Sequence, residues 1–311
     1  MPNCTQTLPN PCQNSVRSWK QSVWLQRFRQ LSNLMKLRIG IVMAATSVVA
    51  LVVTPGPAVP AWQVLVLALT VLMAAGAAGA FNQYYETDID ARMRRTHDRP
   101  FVTGALTHSR WWLLMIGALL ISGVGAAALL LNGMAAVYIF MGAFFYAVVY
   151  TVWLKRRTSM NIVIGGASGS FAVLAGAAVI DPQLGTVPVL LAIVLFLWTP
   201  PHFWSLAIAR RDDYAAVGVP MLPVTAGNQA AAWAVLAHTL LLAGASVMPF
   251  FFGLGWIYLV GALAGGGYFI HHALRLVRDP SAKNGMRSFF ASLAQLILLL
   301  LFALLDAALI G

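Results

Sequence analysis
Asn82-Gln-Tyr-Tyr-Glu86-Thr-Asp88-Ile-Asp90-Ala-Arg92-Met-Arg94-Arg95-Thr-His97-Asp98-Arg99-Pro100 is where the character of this chain changes. Before it runs an apolar segment, Trp62 to Phe81, with no charged residue. Within it, four acids and four arginines fall between Glu86 and Arg99. If the helix continues, Asn82, Glu86 and Asp90 recur every fourth residue. Each such step rotates by only about 40° and rises about 6 Å, so the three share one face. Three hard oxygen side chains on one face can hold Mg²⁺, which usually keeps some waters and draws its other ligands from a substrate phosphate. The arginines beyond them can make charge-assisted bonds to phosphate. The same residues also read as a solvated helix end laced with i,i+4 pairs. Asp88 points off the Asn82 face and is expected to be solvated or to support the ligands from behind.

The surroundings define what kind of protein carries this stretch. The chain has 311 residues, 60% hydrophobic and 9% charged, whereas a soluble domain has roughly 25% charged residues. Several apolar runs reach the ~20 residues that a helix needs to span a bilayer. The chain is therefore read as an all-α, polytopic membrane protein. Its net charge of +11 is topological information, with a contribution to anionic lipid or substrate, and does not point to nucleic acid. Cys4 and Cys12 both sit in the polar N-terminal tail and have no metal-ligand spacing. Residues 1–30 contain no acid and read as a disordered tail. A mitochondrial presequence, and hence a mitochondrial inner membrane, is the alternative. Residues 31–311 form a single transmembrane domain.

Nine spans are expected. They run Ile39–Val53, Ala61–Tyr85, Trp111–Leu131, Met134–Leu154, Asn161–Ile180, Val187–Ala209, Gln229–Phe252, Leu254–His271 and Ser288–Ile310, the sixth interrupted by Pro200-Pro201. Charge tests this count. All 20 Lys and Arg fall in segments 1–38, 86–110, 155–160, 210–228 and 272–287, on one side of such a bundle. By the positive-inside rule that side is cytoplasmic. An odd helix count puts the C-terminus outside, in the periplasm for a bacterial inner membrane. Dense small residues at 74–80, 165–170 and 261–267 permit close helix packing.

A second polar cluster ends the sixth span: Thr199-Pro-Pro-His202-Phe-Trp204, then Arg210-Arg211-Asp212-Asp213-Tyr214. Two even-numbered helices with acidic inner ends, four spans apart, point to a pseudo-repeated bundle around one cavity. Asp212 and Asp213 could face the first cluster through a second Mg²⁺, or could simply cap a helix end. His202 is an intramembrane ionisable residue and so a functional candidate. It could equally bond a neighbouring helix. His238 and the His271-His272 pair are read as structural and interfacial.

Asn82-x-x-x-Glu86-x-x-x-Asp90 on a second membrane helix resembles the first aspartate-rich motif of the UbiA superfamily of intramembrane prenyltransferases. Three longer strings narrow the resemblance to the branch of that superfamily that farnesylates heme. They are Asp-Ile-Asp90-x-x-Met93-x-Arg95-Thr96-x-x-Arg99-Pro100, Thr199-Pro-Pro-His202-Phe-Trp204, and Asp213-Tyr214-x-x-x-Gly218-Val-Pro220-Met221-Leu222-Pro223. The resemblance covers about residues 31–311. It implies nine helices around a central cavity, and transfer of farnesyl from farnesyl diphosphate to a vinyl carbon of heme B, giving heme O for terminal oxidases. Asn82, Glu86 and Asp90 would hold Mg²⁺, with Asp213 and Tyr214 as further catalytic candidates. Arg95, Arg99, Arg210, Asp212 and His202 would bind substrate. Assembly in the bilayer beside a heme A synthase or an oxidase is a further implication. The chain departs from the pattern at Lys36-Leu37-Arg38, where relatives often read Lys-Pro-Arg, and at Glu86, where they often carry Asp. Arg210 and Tyr214 stand where quinone-pathway relatives place acids, which puts a second metal in doubt. The competing readings are a prenyltransferase of quinone or chlorophyll precursors and a transporter with a broken sixth helix. A transporter's acids should lie near the bilayer centre, and these lie at its inner edge.

Overall fold
Apolar runs of this length leave the backbone one way to satisfy its hydrogen bonds in lipid, which is to form helices. The computed structural model describes residues 27–309, and among them every regular element is helical. The polar tail to residue 26, with Cys4 and Cys12 and its presequence-like composition, lies outside the described residues, as do Ile310 and Gly311. Among the described residues, eight helices are long and apolar enough to cross a membrane. A ninth span arises if α1 (Arg27–Leu34) and α2 (Leu37–Val53), bent by 54° at their junction, count as one. The chain continues through α3 (Ala61–Tyr85), the short α4 (Thr87–Asp90), α5 (Trp111–Leu130) and α6 (Gly133–Phe144), which runs on as a π-helix over Phe145–Leu154. Then follow α7 (Asn161–Gly165), α8 (Ala167–Ala178), α9 (Thr186–Ala209), α10 (Arg211–Ala216), α11 (Leu222–Thr225), α12 (Gly227–Val247), α13 (Trp256–Arg278) and α14 (Ala282–Leu309).

These helices close into a ring. α2 packs on α3 and α8, α6 on α8, α8 on α9, α9 on α12 and α14, α13 on α12 and α14, and α14 returns to α2. α8 can lie against α2 because Gly176 has no side chain where the Ser47 backbone passes; a Cβ there would collide with the Ser47 carbonyl. A small apolar cavity lies where α2, α8, α9 and α14 meet, lined by Val49, Val173, Leu191, Leu195, Leu296 and Leu299 among others.

Two local findings differ from expectation. α9 runs unbroken through Pro200 and Pro201. The prolines remove two N–H donors and free the carbonyls of Phe196 and Leu197, yet the flanking turns hold, with hydroxyls of Thr199 and Ser205 bonding the carbonyls of Leu195 and Pro201. The chain is also helical before the expected first span: α1 begins at Arg27, inside the tail expected to be disordered, and meets α2 at the 54° bend. Leu34 is buried against Ala80 and Phe101, and the Gln83 amide donates to the carbonyls of Asn33 and Leu34. Lys36 then takes a left-handed conformation, φ 50°, a strain of about 1–2 kcal/mol for a residue with a Cβ. Gly79 of α3 makes room, since a Cβ there would sit 3.1 Å from the Met35 carbonyl.

Candidate active site
The acidic end of α3 keeps the register that the sequence predicts. α3 gives way to α4 at Glu86, whose φ and ψ are −97° and 17°. The ladder nonetheless persists, with Glu86 N–H donating to Asn82 O at 3.0 Å and Asp90 N–H to Glu86 O at 2.8 Å. Asn82, Glu86 and Asp90 therefore stay on one face. All three are buried.

Buried charge needs a partner, and each of the three residues has a cation from a different part of the chain. Lys36 Nζ donates to Asn82 Oδ1 at 2.5 Å and to the Tyr146 hydroxyl at 2.8 Å. Lys155 Nζ reaches both Glu86 carboxylate oxygens, at 2.6 and 2.5 Å. Arg99 Nη1 bonds Asp90 Oδ2. The bend between α1 and α2 delivers Lys36. The π-helix delivers the second cation: an i→i−5 backbone bond runs from Lys155 N–H to Tyr150 O, and the Thr151 hydroxyl donates to Tyr146 O. Its wide turn brings Tyr146, Thr151 and Lys155 to the same site, where Thr151 Oγ1 accepts from Asn82 Nδ2 at 3.0 Å. π-Helical segments are rare and concentrate at functional sites.

The loop after α4 folds back to place Arg99. Met93 is buried under it, Thr96 donates to the Asp90 carbonyl, and backbone bonds from Thr96, His97 and Arg99 make successive turns. Ile89 and Met93 pack with Ala207, Tyr214, Val219 and Met221, so the first and second polar strings form one cluster. Tyr214 carries the contact, with Arg95 near enough to act on its phenol electrostatically. Burial pushes the Tyr214 phenol up, and Arg95 opposes that push. Burial likewise raises the Asp90 carboxyl against the pull of Arg99. Asp88 behaves oppositely, because its exposed carboxylate is held low by a two-pronged bond to Arg156 at 2.7 and 2.9 Å.

Other candidates stay at the rim. Arg210 and Asp212 are exposed and Asp213 is half-buried. None of them forms an ion pair among the described residues. His202 lies in the interior, bonded through Nδ1 to Ser292 Oγ of α14 at 2.7 Å. The residues that sequence reasoning missed are Lys36, Tyr146, Thr151 and Lys155. A lysine flanked by the apolar Met35 and Leu37 was a readable signal for the first.

The donor set suits Mg²⁺. No group of three His, Cys, Asp or Glu able to cage a metal occurs among the described residues. Two buried carboxylates and an amide oxygen on successive turns match an ion that takes one or two carboxylates and completes its shell with substrate phosphate and water.

Comparison with known proteins agrees with this architecture. Residues 42–300 match the UbiA prenyltransferase family. The chain is 51% identical to protoheme IX farnesyltransferase 2 of Paramagnetospirillum magneticum, over 90% of this chain and 98% of that one. Among solved structures it is similar to a digeranylgeranylglyceryl phosphate synthase, with TM-score 0.75 and 16% identity over 91% of this chain and 99% of that one. It is also similar to a UbiA homolog from Archaeoglobus fulgidus bound to DMAPP and Mg²⁺, with TM-score 0.66 and 14% identity over 87% and 99%. An all-helical membrane fold, a matching family pattern over most of the length and a relative sharing half its residues have one meaning: the chain belongs to the UbiA prenyltransferase family, as an enzyme of its protoheme IX farnesyltransferase branch.

Proposed function
We propose that the enzyme transfers farnesyl from farnesyl diphosphate to a vinyl carbon of heme B. The C1–O bond of the farnesyl group breaks and diphosphate leaves. C1 bonds the terminal vinyl carbon, and water adds to the porphyrin-side cation with loss of a proton, giving the hydroxyethylfarnesyl group of heme O. The observation that carries this reading is the buried Asn82–Glu86–Asp90 row with Lys36, Lys155 and Arg99 set against it.

A leaving diphosphate carries about three negative charges, and fixed cations aimed at developing charge are the largest common source of catalysis. Mg²⁺ held by Asn82, Glu86 and Asp90 would act as a Lewis acid at that leaving group. Lys36, Lys155 and Arg99 would turn from their oxygen partners to the phosphate oxygens, with Arg95 beside Tyr214 as a further cation. Tyr146 and Tyr150 line the same end of α6 and orient the lysines. Asp213, half-buried at the rim, would moderate the charge of the arginines, and the exposed Arg210 and Asp212 would meet an incoming heme propionate or diphosphate. The basic loops, and with them the site, face the cytoplasm, and the C-terminus faces the periplasm of a bacterial inner membrane, a topology supported by the fall of every Lys and Arg in the tail or in loops that alternate spans would place together. Docking beside a heme A synthase or oxidase would hand the product on.

The test supplies purified enzyme in nanodiscs with farnesyl diphosphate, heme B and Mg²⁺ and reads the porphyrin by mass. Heme gaining a farnesyl group and a hydroxyl group is expected. Unchanged heme B alongside farnesylation of an added quinone precursor would overturn the proposal.

A further inference from the structure
We propose that Ser292 of α14 positions His202 of α9 as the ligand to the iron of heme B, an inference that rests on heme B being the acceptor. The reasoning begins with a single hydrogen atom. The Ser292 hydroxyl has one proton, and it is spent on the Phe289 carbonyl at 2.6 Å. In the 2.7 Å contact with His202 Nδ1, Ser292 Oγ must therefore be the acceptor. The neutral ring then carries its proton on Nδ1, which leaves the lone pair on Nε2. A metal-binding histidine needs this arrangement: one nitrogen donates to a fixed acceptor, which sets the tautomer and ring orientation, while the other faces the metal.

The ring plane is fixed as well. His202 stacks between Trp198 and Phe289, with centroids 4.2 and 4.5 Å away, and meets the edge of Phe203. Trp198 is itself held, because its indole N–H donates to the Ser292 carbonyl at 2.8 Å. One serine thus locks both the histidine and the ring stacked on it. The α9–α14 seam does not need His202 for cohesion, since Trp198–Ser292 and the Ser205–Ser288 hydroxyl pair already join the two helices. Nε2 has no hydrogen-bond partner among the described residues, and it is not among the side-chain nitrogens sealed off by packing. His238 differs: its Nδ1 bonds a carbonyl of its own helix, and no second helix locks the ring through a hydrogen bond among the described residues.

The experiment compares heme B with metal-free protoporphyrin IX, titrated into wild type, His202→Ala, Ser292→Ala and His238→Ala in nanodiscs. Wild-type ferric heme should show a nitrogen axial ligand by absorbance and electron paramagnetic resonance. His202→Ala should lose that signature and recover it with added imidazole. Ser292→Ala, which removes only the acceptor for Nδ1–H, should weaken heme affinity about 10- to 100-fold, the usual cost of losing such a support. Protoporphyrin IX should bind all four proteins alike, because without iron the ligand has nothing to hold. Three results would overturn the inference: equal losses for both porphyrins, a wild-type spectrum without a nitrogen ligand, or loss of ligation in His238→Ala instead. If His202→Ala does not fold, the wild-type spectrum and Ser292→Ala still decide. Should neither porphyrin bind wild type while farnesyl diphosphate does, the heme-acceptor reading itself fails.

Discussion
Lys155→Met separates the two roles of the lysine that faces Glu86. In the wild type its ammonium sits 2.5–2.6 Å from both oxygens of a carboxylate that is 1% exposed. Removing one partner of a buried pair leaves the other uncompensated, at about 3–5 kcal/mol. With roughly 2–4 °C per kcal/mol for chains of a few hundred residues, the metal-free protein should melt at least about 6 °C lower. Magnesium should reverse this in an informative way. In the wild type the ion competes with the ammonium for Glu86, and in the variant that competitor is gone. The variant should therefore bind Mg²⁺ more tightly and reach a given stabilisation, such as the roughly 2.7 kcal/mol expected at a hundredfold over its dissociation constant, at a lower ion concentration than the wild type. Turnover should move the other way, falling about 10²–10³-fold, the usual cost of deleting one stabiliser of a leaving charge. The assay pairs a Mg²⁺-dependent melting series with turnover of farnesyl diphosphate. Unchanged metal-free stability together with an unchanged Mg²⁺ response would refute the placement of Lys155 against the metal ligands.

Three further outcomes follow from the same geometry. Asp90→Asn, which leaves Arg99 without its carboxylate partner, should lower the metal-free melting temperature as Lys155→Met does, remove most activity and weaken Mg²⁺ binding; near-normal turnover at limiting Mg²⁺ would exclude Asp90 as a ligand. Arg99→Lys keeps the charge but loses the planar fork, so the KM for farnesyl diphosphate should rise well above any change in the KM for heme, and the reverse pattern would reassign Arg99 to the porphyrin. A reporter fused after Gly311 should be active only in the periplasm of a bacterial host, and one in the 92–110 loop only in the cytoplasm; activity of the first in the cytoplasm would break the odd span count.

Much of the frame was legible because it depends on local pattern. Ala61–Tyr85 and Asn82–Glu86–Asp90 could be read off directly, since an uninterrupted apolar run and a spacing of four residues are properties of one segment. The eighth helix was read short, ending at His271, whereas it extends to Arg278. Its last turns are amphipathic, with Ala273 and Leu276 buried among polar neighbours, so a hydropathy reading stops early. The cations escaped for a different reason. Lys155 is 69 residues from Glu86 and Lys36 is 46 from Asn82, so no local spacing links them. The π-helix hides the link further, because a period of 3.6 does not put Tyr146, Thr151 and Lys155 on one face. The hydroxyl partner of His202 is 90 residues away. What sequence offered there was a position in a helix, and what the structure added was the hydroxyl that its ring faces.

The distance along the chain between Glu86 and its lysine also bears on how the protein is made. At about 5–20 residues per second, the ribosome needs roughly 3–14 s to travel from Glu86 to Lys155. For that interval the inner end of α3 carries a carboxylate whose partner does not yet exist, although α2 and Lys36, which bonds Asn82 one turn away, are already synthesised. The first three spans are thus a provisional assembly, open to the insertion machinery and to quality-control proteases. Commitment comes with the fourth span, when Lys155 arrives and the acidic end can leave water for good. Truncations released before residue 155 should be degraded quickly, and those released just after it should persist.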